Sequence, residues 1–166
     1  MQVVPYKDST QSKKKQVSEM FNGISGQYDQ MNRLITFGVD LRWRKRLIEK
    51  VASLSPESVL DVATGTGDLA LAIAKETQAQ VIGLDISAGM LAVGTEKIKA
   101  ANLEKRVDMI LGDSESIAFE DNRFDAVTVA FGVRNFEHLE RGLLEIKRVL
   151  KPGGTLAVLE TSVPTN

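Results

Sequence analysis

The stretch Val59-Leu60-Asp61-Val62-Ala63-Thr64-Gly65-Thr66-Gly67-Asp68-Leu69-Ala70 constrains this chain more than any other. Val59 to Val62 is a short apolar run and reads as a buried strand. Small residues follow, and a helical pattern opens at Asp68. A strand, a tight turn and a helix N-terminus form the half-motif on which nucleotide-type ligands sit. Gly65 and Gly67 let a ligand approach the backbone where a Cβ would block it. Asp61 places a carboxylate at the carboxyl end of the strand, where ligands of open α/β sheets bind. A tight turn with no ligand is the plainer reading, and the acidic residues at neighbouring strand ends weigh against it.

After this motif the chain alternates between helices and strands. The helix from Asp68 carries Leu69, Ala72, Ile73 and Ala74, and Val81 to Leu84 is a second buried strand ending on Asp85. Ser87 is a candidate N-cap for a helix to about Ala101, with Met90, Val93, Gly94, Ile98 and Ala101 inward. Arg106 to Leu111 is a third strand, followed by Gly112-Asp113-Ser114, and Phe124 to Ala130 is a fourth. The loop Phe131 to Glu137 leads to a helix on Leu139, Leu143, Ile146 and Leu150. Lys151-Pro152-Gly153-Gly154 is a sharp stop before a fifth strand, Thr155 to Leu159. Strands alternating with helices predict an α/β fold, a parallel sheet with helices on both faces.

Ahead of the motif the pattern is weaker. Residues 1 to about 12 form a polar lead-in. From Lys13 a helix is predicted on Val17, Met20, Phe21 and Ile24, weakened by Gly23 and Gly26. A second spans about Leu41 to Ala52, with Asp40 as candidate N-cap. Trp43, Leu47, Ile48 and Val51 line one face, and Arg42, Arg44, Lys45 and Arg46 read as a solvated one. Bulk composition narrows the function classes. Net charge is -1 and charged residues are 26%, which argues against a nucleic-acid scaffold working through bulk charge. There is no cysteine and a single histidine, His138, so no metal centre is expected. No apolar run approaches the ~18 residues of a membrane helix. Lys7 and Lys13 to Lys15 precede no apolar core, so no signal peptide is read. A cytoplasmic location fits.

Gly65-Thr66-Gly67-Asp68-Leu69-Ala70 fits the dinucleotide fingerprint, and Asp85 is placed to hold ribose hydroxyls. Several cofactors share those features, NAD among them. Three others favour S-adenosyl-L-methionine. A carboxylate at Asp61 would repel a pyrophosphate but suits the ammonium of a methionine moiety. Asp113 can accept from an adenine amino group, with backbone N–H groups near Ser114 meeting ring nitrogens. Leu150-Lys151-Pro152-Gly153-Gly154-Thr155-Leu156 joins the last helix to the fifth strand. Ile86 follows Asp85 and is placed to pack on the adenine, although core packing explains it as well. A turn cap is the plainer role for Asp113.

These residues together resemble class I S-adenosylmethionine-dependent methyltransferases. More narrowly the chain resembles the ubiquinone/menaquinone biosynthesis C-methyltransferase family. The narrower match rests on Tyr28-Asp-Gln-Met-Asn32, Phe37-Gly38 with Trp43-Arg44, Val59 to Asp68, Ala130-Phe-Gly-Val-Arg-Asn135, and Leu150-Lys-Pro-Gly-Gly154. Asp40 departs from a common histidine and Ala130 from a serine. The resemblance implies a Rossmann-like fold and C-methylation of a prenylated quinol, demethylmenaquinol or its ubiquinone-pathway equivalent. It implies that Thr66 contacts the cofactor and that residues 1–40, with Tyr28 and Asn32, form a lead-in and lid over a core at 41–166. It raises Arg134 and Asn135 to catalytic, substrate-side residues, where a surface salt bridge and a turn are the plainer roles. His138 reads as a cap or surface residue rather than a base.

The resemblance also implies a sheet ordered 3-2-1-4-5 that lacks the family's last two strands. Thr155 to Leu159 would then be an exposed apolar edge inviting a second copy, in a truncated form that holds the cofactor. A lipid quinol as partner, with no nucleic acid, predicts a protein peripheral at the inner face of the membrane, steered there by the basic cluster. The rival readings are a methyltransferase for another small molecule, an NAD-dependent oxidoreductase, and a non-catalytic binding module.

Overall fold

The structure is a computed structural model and describes residues 5–6, 10–28 and 39–161. Met31, Asn32, Leu34, Ile35, Phe37 and Gly38 lie outside the described residues. The elements are α1 (Lys13–Ile24), α2 (Val39–Ala52), β1 (Ser58–Val62), α3 (Asp68–Glu76), β2 (Gln80–Asp85), α4 (Ala88–Ala100), β3 (Val107–Leu111), β4 (Phe124–Ala130), α5 (Leu139–Val149) and β5 (Leu150–Leu159). A 3-10 turn, Val133–Asn135, joins β4 to α5.

The five strands form one sheet in the order β3-β2-β1-β4-β5, and every pairing is parallel. The expected order therefore holds. Alternate residues of the central strands feed two apolar cores. One gathers Val59, Val81, Val107 and Ala126 with Leu47 and Val51 of α2, Leu69 and Ile73 of α3, and Ile98 of α4. The other sets Leu60, Val62, Leu84 and Val127 against Ile146 and Val149 of α5, with Phe136. Helices thus cover both faces, and the near-continuous apolar strands are buried on both sides.

Ser87 is the N-cap of α4, its hydroxyl accepting from the Met90 N–H at 3.2 Å. Two expected boundaries differ. Asp40 lies inside α2, which begins at Val39, so it does not cap that helix. β5 starts at Leu150, because Leu150 already pairs with Phe124 before the register shifts and Thr155 pairs with Ala126. Lys151 to Gly154 is therefore a bulge within a strand, turned at Gly153 (φ +80°), and not a stop before one. β5 is an edge strand, with Leu156 and Val158 exposed.

One glycine of β2 controls what sits at the sheet's carboxyl end. A Cβ on Gly83 would lie 2.7 Å from Met109 Sδ and 2.9 Å from both Cγ2 and Oγ1 of Thr64. Its bare Cα leaves room for Thr64 to fold back over β2. Gly83→Ala should therefore shift Thr64 and Met109 and destabilise the fold by about 1–3 kcal/mol, read as a lowered midpoint in chemical denaturation.

Candidate functional site

Asp61 lies in the buried stretch of β1, one residue before its end at Val62, beside Thr128 of β4, its register partner. The Thr128 hydroxyl donates to Asp61 Oδ1 and the Thr64 hydroxyl to Oδ2, both at 2.6 Å. Asp61 is only 1% exposed. Burial pushes its carboxyl up to about 6, against the two threonine hydroxyls and the nearby Arg44 charge. At the end of β2, Asp85 ties the loop down. Its Oδ2 accepts from the Gly65 N–H (2.8 Å) and its Oδ1 from the Ser87 N–H (2.9 Å). Burial raises its pKa too, opposed by those N–H groups and that of Ile86.

A cleft wraps around this loop in two parts that meet at Tyr28, Ala63, Gly65 and Ala130. The narrow part, of ≈ 80 Å³, is bordered by Asp85, Ile86, Asp113, Ser114 and Asn135. The wide part, of ≈ 740 Å³, is bordered by Asp61, Thr64, Thr66 and, from α2 and α3, by Arg44, Ile48 and Leu69. Most of the expected site residues are thus brought together. Gly65 (φ +59°) faces the cleft, and a Cβ there would meet nothing within 4 Å. Gly67 lines neither part. It is buried, adopts φ +77°, and its Cβ would press on Met109 Cε at 3.1 Å, so its job is the turn and the packing beneath it.

Other expected residues take several jobs. Thr66 Oγ1 accepts from Lys97 Nζ at 3.0 Å, while the N-cap of α3 is Gly67 with no side-chain bond. Asp113 Oδ1 accepts from the Glu115 N–H (2.9 Å), the turn-capping bond, and it lines the cleft as well. Arg134 borders neither part. Its side chain is 54% exposed and its Nη1 donates to Glu160 Oε1 at 2.8 Å, the surface salt bridge weighed above. His138 is the N-cap residue of α5 by position, with its ring 67% exposed.

Several residues escaped the sequence reading. Arg44 leaves the solvated face, lines the wide part, and sets its guanidinium 5.7 Å from the Phe131 ring centroid. The lysines at the start of α1 are not a loose charge run. Lys13 Nζ donates to the carbonyls of Arg134 (2.9 Å) and Phe136 (2.8 Å). Lys14 Nζ donates to Asp113 Oδ2 (2.6 Å), Ser18 Oγ to the Ile86 carbonyl (3.2 Å), and Asn22 Oδ1 accepts from Ser87 Oγ (2.7 Å) and the Gly89 N–H (2.9 Å). Positions 14, 18 and 22 share one helix face. That spacing was the available signal, and it stitches α1 over the ends of β2 and β3.

Glu115 completes the frame. It is 2% exposed and accepts from the N–H groups of Glu137 (2.8 Å) and His138 (3.0 Å). Burial favours its neutral form, but the His138 backbone and ring, the Glu137 N–H and Lys14 outweigh burial and hold its carboxyl down at about 2. Among the described residues no group of three acidic, histidine or cysteine side chains is arranged to hold a metal ion.

The raised carboxyl of Asp61 makes stability depend on pH. Its folded value, about 6, lies above the ordinary 3.8, so the stability of the neutral form is full below about pH 4 and is lost as pH rises through 6. Asp61→Asn should raise unfolding stability at pH 7.5 by up to about 3 kcal/mol and leave it unchanged near pH 3.5. Denaturation at the two pH values checks this, and an equal effect at both would refute it.

The same fold recurs in known proteins. The crystal structure of the [4+2]-cyclase SpnF superposes with TM-score 0.73 at 26% identity, over 87% of this chain and 59% of that one. A SAM dependent methyltransferase from Aquifex aeolicus superposes with TM-score 0.60 at 28% identity, over 67% and 62%. The demethylmenaquinone methyltransferase of Bacteroides fragilis is 46% identical over 163 residues, 98% of this chain and 66% of its own length. The ubiquinone/menaquinone biosynthesis C-methyltransferase UbiE of Geobacter sulfurreducens is 45% identical over 154 residues, 92% and 60%. The chain thus spans about two thirds of the length of these curated relatives. The sequence model of the ubiE/COQ5 methyltransferase family matches residues 9–166. With this fold and these matches, the chain belongs to the ubiE/COQ5 methyltransferase family.

Proposed function

We propose that the cleft binds S-adenosyl-L-methionine and serves C-methylation of a prenylated quinol, with demethylmenaquinol as acceptor or its ubiquinone-pathway equivalent. The observation that carries this reading is the closure of three successive strand ends by Asp61, Asp85 and Asp113 around the bare Cα of Gly65. The residues fit the cofactor in chemistry. Each Asp85 oxygen accepts one N–H and keeps a lone pair for a ribose hydroxyl. Asp113, beside Ser114, borders the same narrow part and suits an adenine amino group, with Ile86 against the ring. Asp61 borders the wide part, where an ionised carboxylate would meet an ammonium, with Thr66 beside it.

The bound cofactor supplies a methyl group already activated as part of a sulfonium. What remains for the chain is alignment and the exclusion of water. Tyr28 stands where the two parts join, braced edge-on at 5.7 Å from Phe21, and α1 roofs the narrow part as a lid. Leu41, Ile48, Leu69 and Ala72 give the wide part an apolar wall suited to a quinol ring and its prenyl chain. The acceptor must lose a hydroxyl proton to become nucleophilic. Asn135 borders the cleft and can orient a water for that step. Arg134 would stabilise the forming phenolate by exchanging Glu160 for the acceptor. The names carried by the Bacteroides fragilis and Geobacter sulfurreducens relatives support the quinone pathway.

Calorimetric titration with S-adenosylhomocysteine tests the cofactor, with NADH as the competitor expected to fail. Asp85→Ala should weaken binding by at least about tenfold, the loss of hydrogen bonds to a charged group. Affinity should also fall as pH drops through about 6, where Asp61 takes up its proton. Binding of NADH in preference would overturn the reading. With demethylmenaquinol as acceptor, Arg134→Ala should abolish turnover and leave homocysteine-analogue affinity intact; unchanged turnover would remove Arg134 from the mechanism.

A further inference from the structure

We propose that the outward face of α2 docks the protein onto an anionic lipid bilayer. The inference rests on the quinol reading only in this, that a prenylated acceptor is held in a membrane. Arg42, Arg46 and Lys50 recur at four-residue spacing and are all exposed. None of them forms an ion pair with another described residue. Lys45 continues the charge and pairs with Glu49 only at 3.9 Å, with both side chains well exposed. Apolar groups flank the stripe: Leu41 is 55% exposed, Trp43 39%, and Leu54, just past the helix, 41%.

Cations between exposed tryptophan and leucine side chains are what a helix lying in a membrane interface presents. Net charge over the whole chain is -1, so the positive field is local to this face. Leu41 and Lys45 also border the wide part of the cleft, which places the stripe at its mouth. No helix among the described residues is long and apolar enough to cross a membrane. Contact through this face therefore means lying on the surface. Single-stranded nucleic acid is a poorer fit, because it calls for several stacking aromatics along a basic groove, and Trp43 is the one aromatic residue on α2.

Trp43 is the sole tryptophan, so its fluorescence reports on this face alone. The full chain is mixed with vesicles of phosphatidylcholine alone, or of equal parts phosphatidylcholine and phosphatidylglycerol. The anionic vesicles should shift Trp43 emission to the blue and carry the protein down on sedimentation; the neutral ones should do neither. The double variant R42E/R46E should partition at least about tenfold more weakly at unchanged melting temperature. Its affinity for S-adenosylhomocysteine should match the parent, so a failed docking surface and a failed cofactor reading are separable. Equal binding to both vesicles, no response to the anionic ones, or undiminished binding by the double variant would overturn the proposal. So would capture of single-stranded RNA by this face with no capture of vesicles.

Discussion

A buried carboxylate at the end of the central strand sets the terms for everything around it. Taking an ion the size of Asp61 out of water costs several kcal/mol even after the protein relaxes. Two hydroxyl donors at 2.6 Å return about 1.5–3 kcal/mol each as hydrogen bonds to a charged group. The two sides nearly balance, and the remainder shows in the carboxyl's rise to about 6. Each donor has a structural cause. Thr128 stands opposite Asp61 because β4 pairs with β1 in that register. Thr64 reaches it because Gly83 has no side chain to stop it. An apolar residue at position 61 would relieve this cost, and would also remove a carboxylate at the sheet's centre that can hold a cation.

The floor of the cleft and its roof are built by different physics. The floor is backbone. Asp85 clamps the loop through two N–H groups, and two non-glycine residues are held with positive φ at the strand ends, Ala63 at +54° and Phe131 at +57°. Such residues cost about 1–3 kcal/mol each and persist only where the surroundings over-determine them. The Phe131 N–H donates to the Leu159 carbonyl at 2.7 Å, and Gly132 leaves Ala63 the space a Cβ would need. The roof, α1, is attached mainly through the side chains of Lys13, Lys14, Ser18 and Asn22, with the Lys13 N–H donating to Glu137 Oε1 at 2.9 Å.

Much of this was legible in the sequence, and the limits were physical. The parallel sheet followed from apolar runs alternating with helices, its strand order from the family resemblance, and the residues at strand ends from the rule that such sheets bind at their carboxyl edge. Asp61, Gly65, Asp85, Ile86, Asp113 and Ser114 accordingly border the cleft, and so does Tyr28, which the family resemblance had singled out. Side-chain partners distant in the chain were not legible. Thr128 hid inside an apolar run, where a threonine reads as a strand former. Glu115 looked like one more loop carboxylate until its donors from Glu137 and His138 were in place. Lys13 and Lys14 share a run with Lys15, and only helix phase separates the two that turn inward from the exposed third. Arg134 shows the converse: family likeness selects the position, and the structure shows its guanidinium on Glu160.

Floor and roof are held in different ways. α1 covers the narrow part with Lys14, Val17 and Phe21, and that part opens into the wide one at Tyr28, Ala63, Gly65 and Ala130. Lys14 is half-buried, and its partner Asp113 is the carboxylate assigned to the adenine. A donor on a bound ligand would therefore compete with Lys14 for that carboxylate. Lys14 also reaches Glu115 Oε2 at 3.4 Å, so Asp113 is one of two carboxylates that hold this end of α1, while Ser18 and Asn22 hold the helix over the end of β2 and the start of α4.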